Sequence, residues 1–179
     1  MKYLIISDIH GCYRSLDRAL NYFEQLKCDK LIILGDILYH GPRNPIPEGY
    51  APQLVVERLN SMKEKIIAVR GNCDAEVDQM VLDFDCSKDY RVTLNGEDLM
   101  FLTHGHIYNP QKLPAMQDYH IFMYGHTHIY ELSKQNDILI LNPGSITLPK
   151  GGNPPTFAVC DGDNISIRSL DEGEILLGQ

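Results

Sequence analysis

At 179 residues and a formal net charge of -8, the chain has the length of one domain, and its acidic balance argues against stable or nonspecific nucleic-acid binding, which depends on clustered Lys and Arg. The five cysteines, Cys12, Cys28, Cys73, Cys86 and Cys160, are odd in number and lack a CxxC spacing, which excludes a disulfide framework and a thiolate zinc knuckle and points to a reducing cytoplasm. No stretch reaches the length of a membrane span, and the apolar run of "MKYLIISDIHGC" is too short for an export signal, so a soluble protein with no membrane partner is expected.

"KYLIIS" is a continuous apolar run, the pattern of a strand buried on both faces, and Leu16, Ala19, Leu20, Phe23 and Leu26 then repeat at helical spacing. The unit recurs with "KLIILGD", a helix "PQLVVERLNSM" opening on Pro52, and a strand "KIIAVRGN". Two successive strand-helix-strand units predict a parallel sheet with helices outside it. Beyond Asp85 the texture becomes strands closed by turns: "YRVTL" and "LMFLTHG" around an Asn-Gly turn, then "IFMYGH", "YELSKQ", "ILILN", "TFAVCD" and "ISIRSL", with a tight turn over Asp161 to Asn164. A short helix is expected near Pro110 to Gln117. The economical architecture is two sheets face to face with helices outside, in one domain over residues 1–179. The Pro- and Gly-rich "HGPRNPIPEGYAP" reads as a long ordered loop that carries function.

Five predicted strands end in one chemical type: "SDIHG" (Asp8, His10), "LGDI" (Asp36), "RGNCD" (Asn72), "LTHGH" (His104, His106) and "YGHTH" (His126, His128). Ligands in open α/β sheets bind outside the carboxyl ends of the strands, so these groups are predicted to converge. The i, i+2 spacing in extended chain is expected to put Asp8 and His10 on one side, and His126 and His128 likewise. Singly, each is an ordinary surface turn or cap. Five strand ends sharing the residue types of one site have no such ordinary reason.

Carboxylate, amide and imidazole donors without thiolate suit borderline divalent ions such as Mn, Fe, Zn or Ni, and seven ligands exceed what one ion accommodates. Two ions sharing one carboxylate are implied, the arrangement that activates a shared water for attack on phosphorus.

In this order and at these separations the five blocks resemble the calcineurin-like metallophosphoesterases, and with "GPRNPIPEGYAP", "LNPGSITLPKGGNPP" and the overall length, their YfcE-type bacterial phosphodiesterases. The resemblance implies a four-layer α/β/β/α sandwich, a dinuclear centre in which manganese is the usual ion and magnesium a further candidate, and hydrolysis of phosphodiesters by a metal-bridging hydroxide. One ion would take Asp8, His10, Asp36 and His128, the other Asp36, Asn72, His104 and His126, with Asp36 as bridge and "NPGS" (Asn142 to Ser145) supporting the histidines. The Asp-Arg-Gly element of the serine/threonine phosphatase branch is missing, which disfavours protein phosphatase activity. Many members carry His at the position of Cys73, and a thiol with a pKa near ~8.5 is a weak substitute for an imidazolium donor.

The expected activity is therefore that of a metal-dependent phosphodiesterase acting on a small-molecule diester. Asp36, Asn72, His106 and Arg70 are the expected catalytic residues, with His106 beside His104 as an orienting or donating group, and Arg70, Arg43, His40 and Cys73 are placed near the substrate. A phosphomonoesterase or nucleotidase is the enzymatic alternative, and a protein-binding scaffold like the retromer subunit of this fold the non-enzymatic one. A homo-oligomer is compatible with the sequence, which shows no interface.

Overall fold

The run KYLII forms strand β1 (Lys2–Ile6), whose side chains part to two sides: Leu4 and Ile6 enter one apolar cluster, Tyr3 and Ile5 another. Burial on both faces is why the run is continuously apolar. The computed structural model describes residues 1–115 and 118–179. After β1 come α1 (Tyr13–Gln25), β2 (Lys30–Ile33), α2 (Pro52–Asn60), β3 (Ile66–Ala68) and α3 (Glu76–Val81). Eight further strands follow: β4 (Tyr90–Asn95), β5 (Asp98–Thr103), β6 (Ile121–Met123), β7 (Glu131–Gln135), β8 (Ile138–Asn142), β9 (Thr156–Asp161), β10 (Asn164–Ser169) and β11 (Ile175–Gly178).

The strands form two sheets, ordered β11-β10-β9-β1-β2-β3 and β4-β5-β6-β8-β7. The predicted parallel pairing holds for β1, β2 and β3, and the first sheet is then extended antiparallel by β9, β10 and β11. In the second sheet β5, β6 and β8 run parallel, with β4 and β7 antiparallel at the edges. Tyr3, Ile5, Ile32, Met100, Leu102 and Ile121 meet between the sheets. On the outside of the first sheet α1 packs Leu16, Ala19, Leu20 and Phe23, and α2 packs Val55 and Leu59, against Leu4 and Ile6. Each such Leu or Phe contributes about 1.5–3 kcal/mol by leaving water.

The residues alternating with those between the sheets, Phe101, Phe122 and Ile140, build a third cluster on the outer face of the second sheet, covered by Tyr108, Leu113, Tyr119 and Tyr124. The sandwich expected from the sequence is present, but this cover is irregular chain. Over residues 110–115 the expected helix is absent: 110–111 turn between Asn109 and Lys112, which are bridged to each other, 113–115 are irregular, and Met116 and Gln117 lie outside the described residues. Pro110 and Pro114 remove two backbone donors from so short a segment. Two elements were not anticipated. Helix α3 buries only Asp78 and leaves Met80 exposed, so it has no apolar stripe; β11 is four residues with no buried face. The β4–β5 hairpin turns on Gly96 and Glu97, between the paired Asn95 and Asp98, with Gly96 at φ 63°. Gly at the first central position is the requirement of a type II′ turn, one residue on from the expected Asn-Gly centre.

Candidate metal centre

The carboxyl ends of β1, β2 and β3 and of β5 and β6 deliver the predicted residues to one place. Beyond the strands the chain remains laddered: Asp8 N–H donates to Gly35 O (3.2 Å), His10 N–H to Asp36 O (2.9 Å) and Gly11 N–H to Ile37 O (2.9 Å). The second sheet is tied in by His126 N–H, which donates to Asp8 Oδ2 (3.1 Å). Asn142 braces the same turn, donating to Gly125 O and Thr127 Oγ1 at 3.0 Å each, and Ser145 Oγ donates to Asp8 O at 2.9 Å.

The extended geometry expected for the i, i+2 pairs is not what brings them together. Asp8 (φ 56°), His10 (48°), Asp36 (54°), His126 (68°) and His128 (60°) all have left-handed backbone. That conformation costs a non-glycine residue roughly 1–2 kcal/mol and persists where surrounding contacts impose it. Here the ladder between the two loops holds Asp8, His10 and Asp36, the Asp8 carboxylate holds His126, and the Lys150 N–H on His128 O holds His128.

Hydrogen bonding on the far side of each ring fixes what faces the centre. His10 Nδ1 is 2.8 Å from Tyr39 O, His104 Nδ1 is 2.6 Å from Leu34 O, and His128 Nδ1 is bonded to Leu148 O. A carbonyl only accepts, so each Nδ1 carries a proton, and each Nε2 turns inward, where it presents a lone pair whenever the ring is neutral. His10 Nε2 and His128 Nε2 stand 3.3 Å apart; His128 Nε2 is 3.2 Å from Asp8 Oδ1, and His104 Nε2 is 3.0 Å from Asn72 Oδ1 and 3.5 Å from Asp36 Oδ2. Asp8 Oδ1 is buried and has no hydrogen-bond partner, so its approach to His128 is a meeting of acceptors. Buried acceptors turned toward one another require positive charge between them, as ligands backed by outer carbonyls do.

Ligand atoms of Asp8, His10 and His128 fall within 4.8 Å of one another, as do those of Asp8, Asp36 and His104. These residues therefore fit divalent cations. The His126 ring stands beside His104, centroids 5.1 Å apart. A third group, His10, Asp36 and Cys73, brings a sulfur to the margin of the carboxylate, amide and imidazole donors, where a set without thiolate is expected.

Charge follows the same logic. Burial opposes ionisation of Asp36, yet His104 and the Cys73 N–H hold its pKa well below the usual carboxylate range. Burial opposes charge on His104 too, but Asp36 and Asp8 outweigh it and raise the ring to about 9. Burial lowers His10, His106 and His126. A raised imidazole pKa stabilises the fold fully below its unfolded value near ~6.5, and that stability is lost as pH rises through about 9. Chelator-treated protein should accordingly weaken across that window. Metal-loaded protein should hold or gain stability, because ligation needs a deprotonated Nε2. Urea midpoints at pH values spanning the window, with and without chelator, check this; parallel profiles would refute it.

A cleft of about 870 Å³ opens over these residues, lined by Asp36, Asn72, Cys73, His126 and His128. Of the groups placed near the substrate, Arg43 and Cys73 line it. Arg70 is turned into an ion pair with Asp89, its Nε and Nη2 lying 3.0 and 2.6 Å from Asp89 Oδ1. His40 packs edge-on against Tyr39 and Tyr50 with its Nδ1 buried and unpartnered. His106 stands beside His104, ring centroids 5.4 Å apart, but Leu34 O rather than His106 orients that ring. Two residues in the site carried little or no sequence signal. Asp74 accepts from Asp36 N–H (2.8 Å), Ile37 N–H (2.7 Å) and Gly71 N–H (2.7 Å), pinning the Asp36 loop to the Asn72 turn; burial pushes its carboxyl up to about 6 despite these donors. Lys150 lines the cleft from a Gly- and Pro-rich loop.

The profile of the calcineurin-like phosphoesterase superfamily domain matches residues 1–164. The chain belongs to this superfamily. It is 46% identical to the phosphodiesterase YfcE of Escherichia coli, over 98% of this chain and 96% of that one. The solved structure of the E. coli protein superposes with a TM-score of 0.96, covering 100% of this chain and 98% of the other. The phosphodiesterase MJ0936 of Methanocaldococcus jannaschii is 25% identical over 95% of this chain and 98% of its own. Vps29 of Entamoeba histolytica, solved in complex with zinc, shares the fold at 20% identity, with a TM-score of 0.64 over 100% of this chain and 97% of that one.

Cys73 is a neutral group: burial and the Asp36 carboxylate push its thiol up to about 12. Its N–H donates to Asp36 Oδ1 (2.8 Å) and its sulfur accepts from Asn72 Nδ2 (3.3 Å). A thiol so held is a poor nucleophile and a poor proton donor.

Proposed function

We propose that the chain is a metal-dependent phosphodiesterase, a single domain over residues 1–179, hydrolysing a small-molecule phosphodiester at a dinuclear centre in the cytoplasm. The observation that carries this reading is the pair of facing ring nitrogens, His10 Nε2 and His128 Nε2, 3.3 Å apart with their protons committed to carbonyls behind them. The phosphodiesterase name of a relative 46% identical over nearly the whole chain supports it.

In this reading Asp8, His10, Asp36 and His128 hold one ion, and Asp36, Asn72, His104 and His126 the other. Manganese is the expected ion, and zinc, iron, nickel and magnesium are compatible with the same donors. When bound, such a pair lowers the pKa of water to supply a hydroxide nucleophile and offsets charge on the phosphoryl oxygens. The chain's own residues set the conditions. Tyr39, Leu34 and Leu148 carbonyls fix the ring tautomers, Asp74 holds Asp36 in register with the Asn72 turn, and Cys73 contributes no proton to the departing group.

Leaving groups that depart unprotonated should therefore be favoured. Chelated protein reloaded with manganese is expected to release 4-nitrophenol from bis(4-nitrophenyl) phosphate faster than from 4-nitrophenyl phosphate, and to act slowly on dialkyl esters. Activity that survives chelation, or a preference for the monoester, would overturn the reading.

A further inference from the structure

Six of the seven arginines donate a side-chain hydrogen bond among the described residues: Arg14 to Glu48, Arg18 to Leu170, Arg58 to Glu24, Arg70 to Asp89, Arg91 to Asp85 and Arg168 to Ser166. Arg43 is the exception, and it lines the cleft over the candidate centre. Lys150 lines the same cleft and has no carboxylate within ion-pair distance among the described residues. Arg43 stands apart from the other arginines, and Lys150, one of several lysines without a carboxylate partner among the described residues, is the one that shares its cleft. Among the described residues, the carboxylates lining that cleft are Asp36 and Asp74, both engaged by backbone N–H groups.

Both cations stand on anchored loops. The Arg43 loop packs on the centre, where a Cβ at Gly41 would lie 3.0 Å from Cys73 Sγ, and Asn44 Nδ2 closes it by donating to His40 O (2.8 Å). The Lys150 loop is held by the ligand histidine itself: His128 Nδ1–H donates to Leu148 O, and Lys150 N–H donates to His128 O (3.0 Å).

We propose that Arg43 and Lys150 form an anion subsite beside the reacting phosphorus, so that the substrate class is a phosphodiester bearing a second anionic group, such as a phosphomonoester, on one substituent. This rests on the phosphodiesterase reading. The cleft, about 870 Å³, lies within the range of small-molecule sites, and an acidic protein needs local cations to hold a second negative charge. Exposed guanidinium and ammonium groups supply it at small desolvation cost, and a phosphate oxygen is the geometric match of the guanidinium fork.

The test uses manganese-loaded protein and two esters that differ by one group, thymidine 3′-(4-nitrophenyl phosphate) with and without a 5′-phosphate. The 5′-phosphorylated ester should have a kcat/KM about tenfold higher, the size of one charge-assisted contact. That ratio should fall toward one in Arg43→Ala, in Lys150→Ala and in the double variant. A wild-type ratio near one, or a double variant that keeps the wild-type ratio, overturns the subsite. Turnover of neither ester overturns the phosphodiesterase reading instead. The subsite is then decided by calorimetric binding of thymidine 3′,5′-bisphosphate against thymidine 3′-monophosphate, which should show the same preference and the same loss in the variants; equal affinities refute it.

Discussion

Asp36→Asn is expected to lose both metal ions and at least ~10³-fold in turnover while the fold persists. The carboxylate sits where the two donor groups meet: its Oδ2 is 3.7 Å from His10 Nε2 and 3.5 Å from His104 Nε2, and its Oδ1 accepts the Cys73 N–H at 2.8 Å. Asparagine keeps the shape and tolerates the left-handed backbone at φ 54°, but it removes the negative charge that both ions would share. Metal charge is worth several kcal/mol in such reactions, and each 1.36 kcal/mol is tenfold in rate, which sets the size of the loss. Elemental analysis of the purified variant reads the outcome directly. Two retained equivalents of manganese would remove Asp36 from the role of bridge.

Gly71→Ala should damage the same site without touching a ligand. A Cβ there would stand 2.1 Å from Asp36 Oδ1 and 2.3 Å from Asp36 N, so the alanine must displace either the carboxylate or the turn that carries Asn72. Displacing the turn also pulls Gly71 N–H from Asp74. Overpacking of this kind costs about 1–3 kcal/mol, and here the displaced atoms include the donors, so metal content and activity fall together. Gly96→Ala is the control: nothing lies within 4 Å of its Cβ, and only its φ of 63° is strained. It should lower thermal stability modestly and leave metal content at the wild-type level. Equal metal content in all three proteins would show that the tight approach at Gly71 does not position Asp36.

The candidate donors were legible in the sequence because their signal is chemical. Buried strands state their ends by where apolar residues stop, and each of five such ends is followed within a few positions by Asp, Asn or His. What was not legible was backbone conformation. Asp8, His10, Asp36, His126 and His128 converge through left-handed turns, and residue identity alone does not report φ for Asp or His. Positions that depend on loop paths were equally hidden. Arg70 looked aimed at the centre from its place after β3, but Asp89, far along the chain, claims its guanidinium. Lys150 had no signal in "LPKGGNPP" until the His128 backbone was seen to hold that loop. The sheet order was legible where helices connect strands and failed where a long-range pairing such as β1 with β9 decides it.

The left-handed backbone at five clustered positions bears on how variation here is to be read. A saturation scan would find glycine and asparagine comparatively well tolerated by the fold at these sites, and β-branched residues rejected before any question of chemistry arises. A lost phenotype with Val or Thr there reports misfolding, and only the Asn and Gly variants isolate the donor atom. Drift of the sequence is thus doubly confined at each position, and the surviving variants of a scan would be folded but metal-poor proteins.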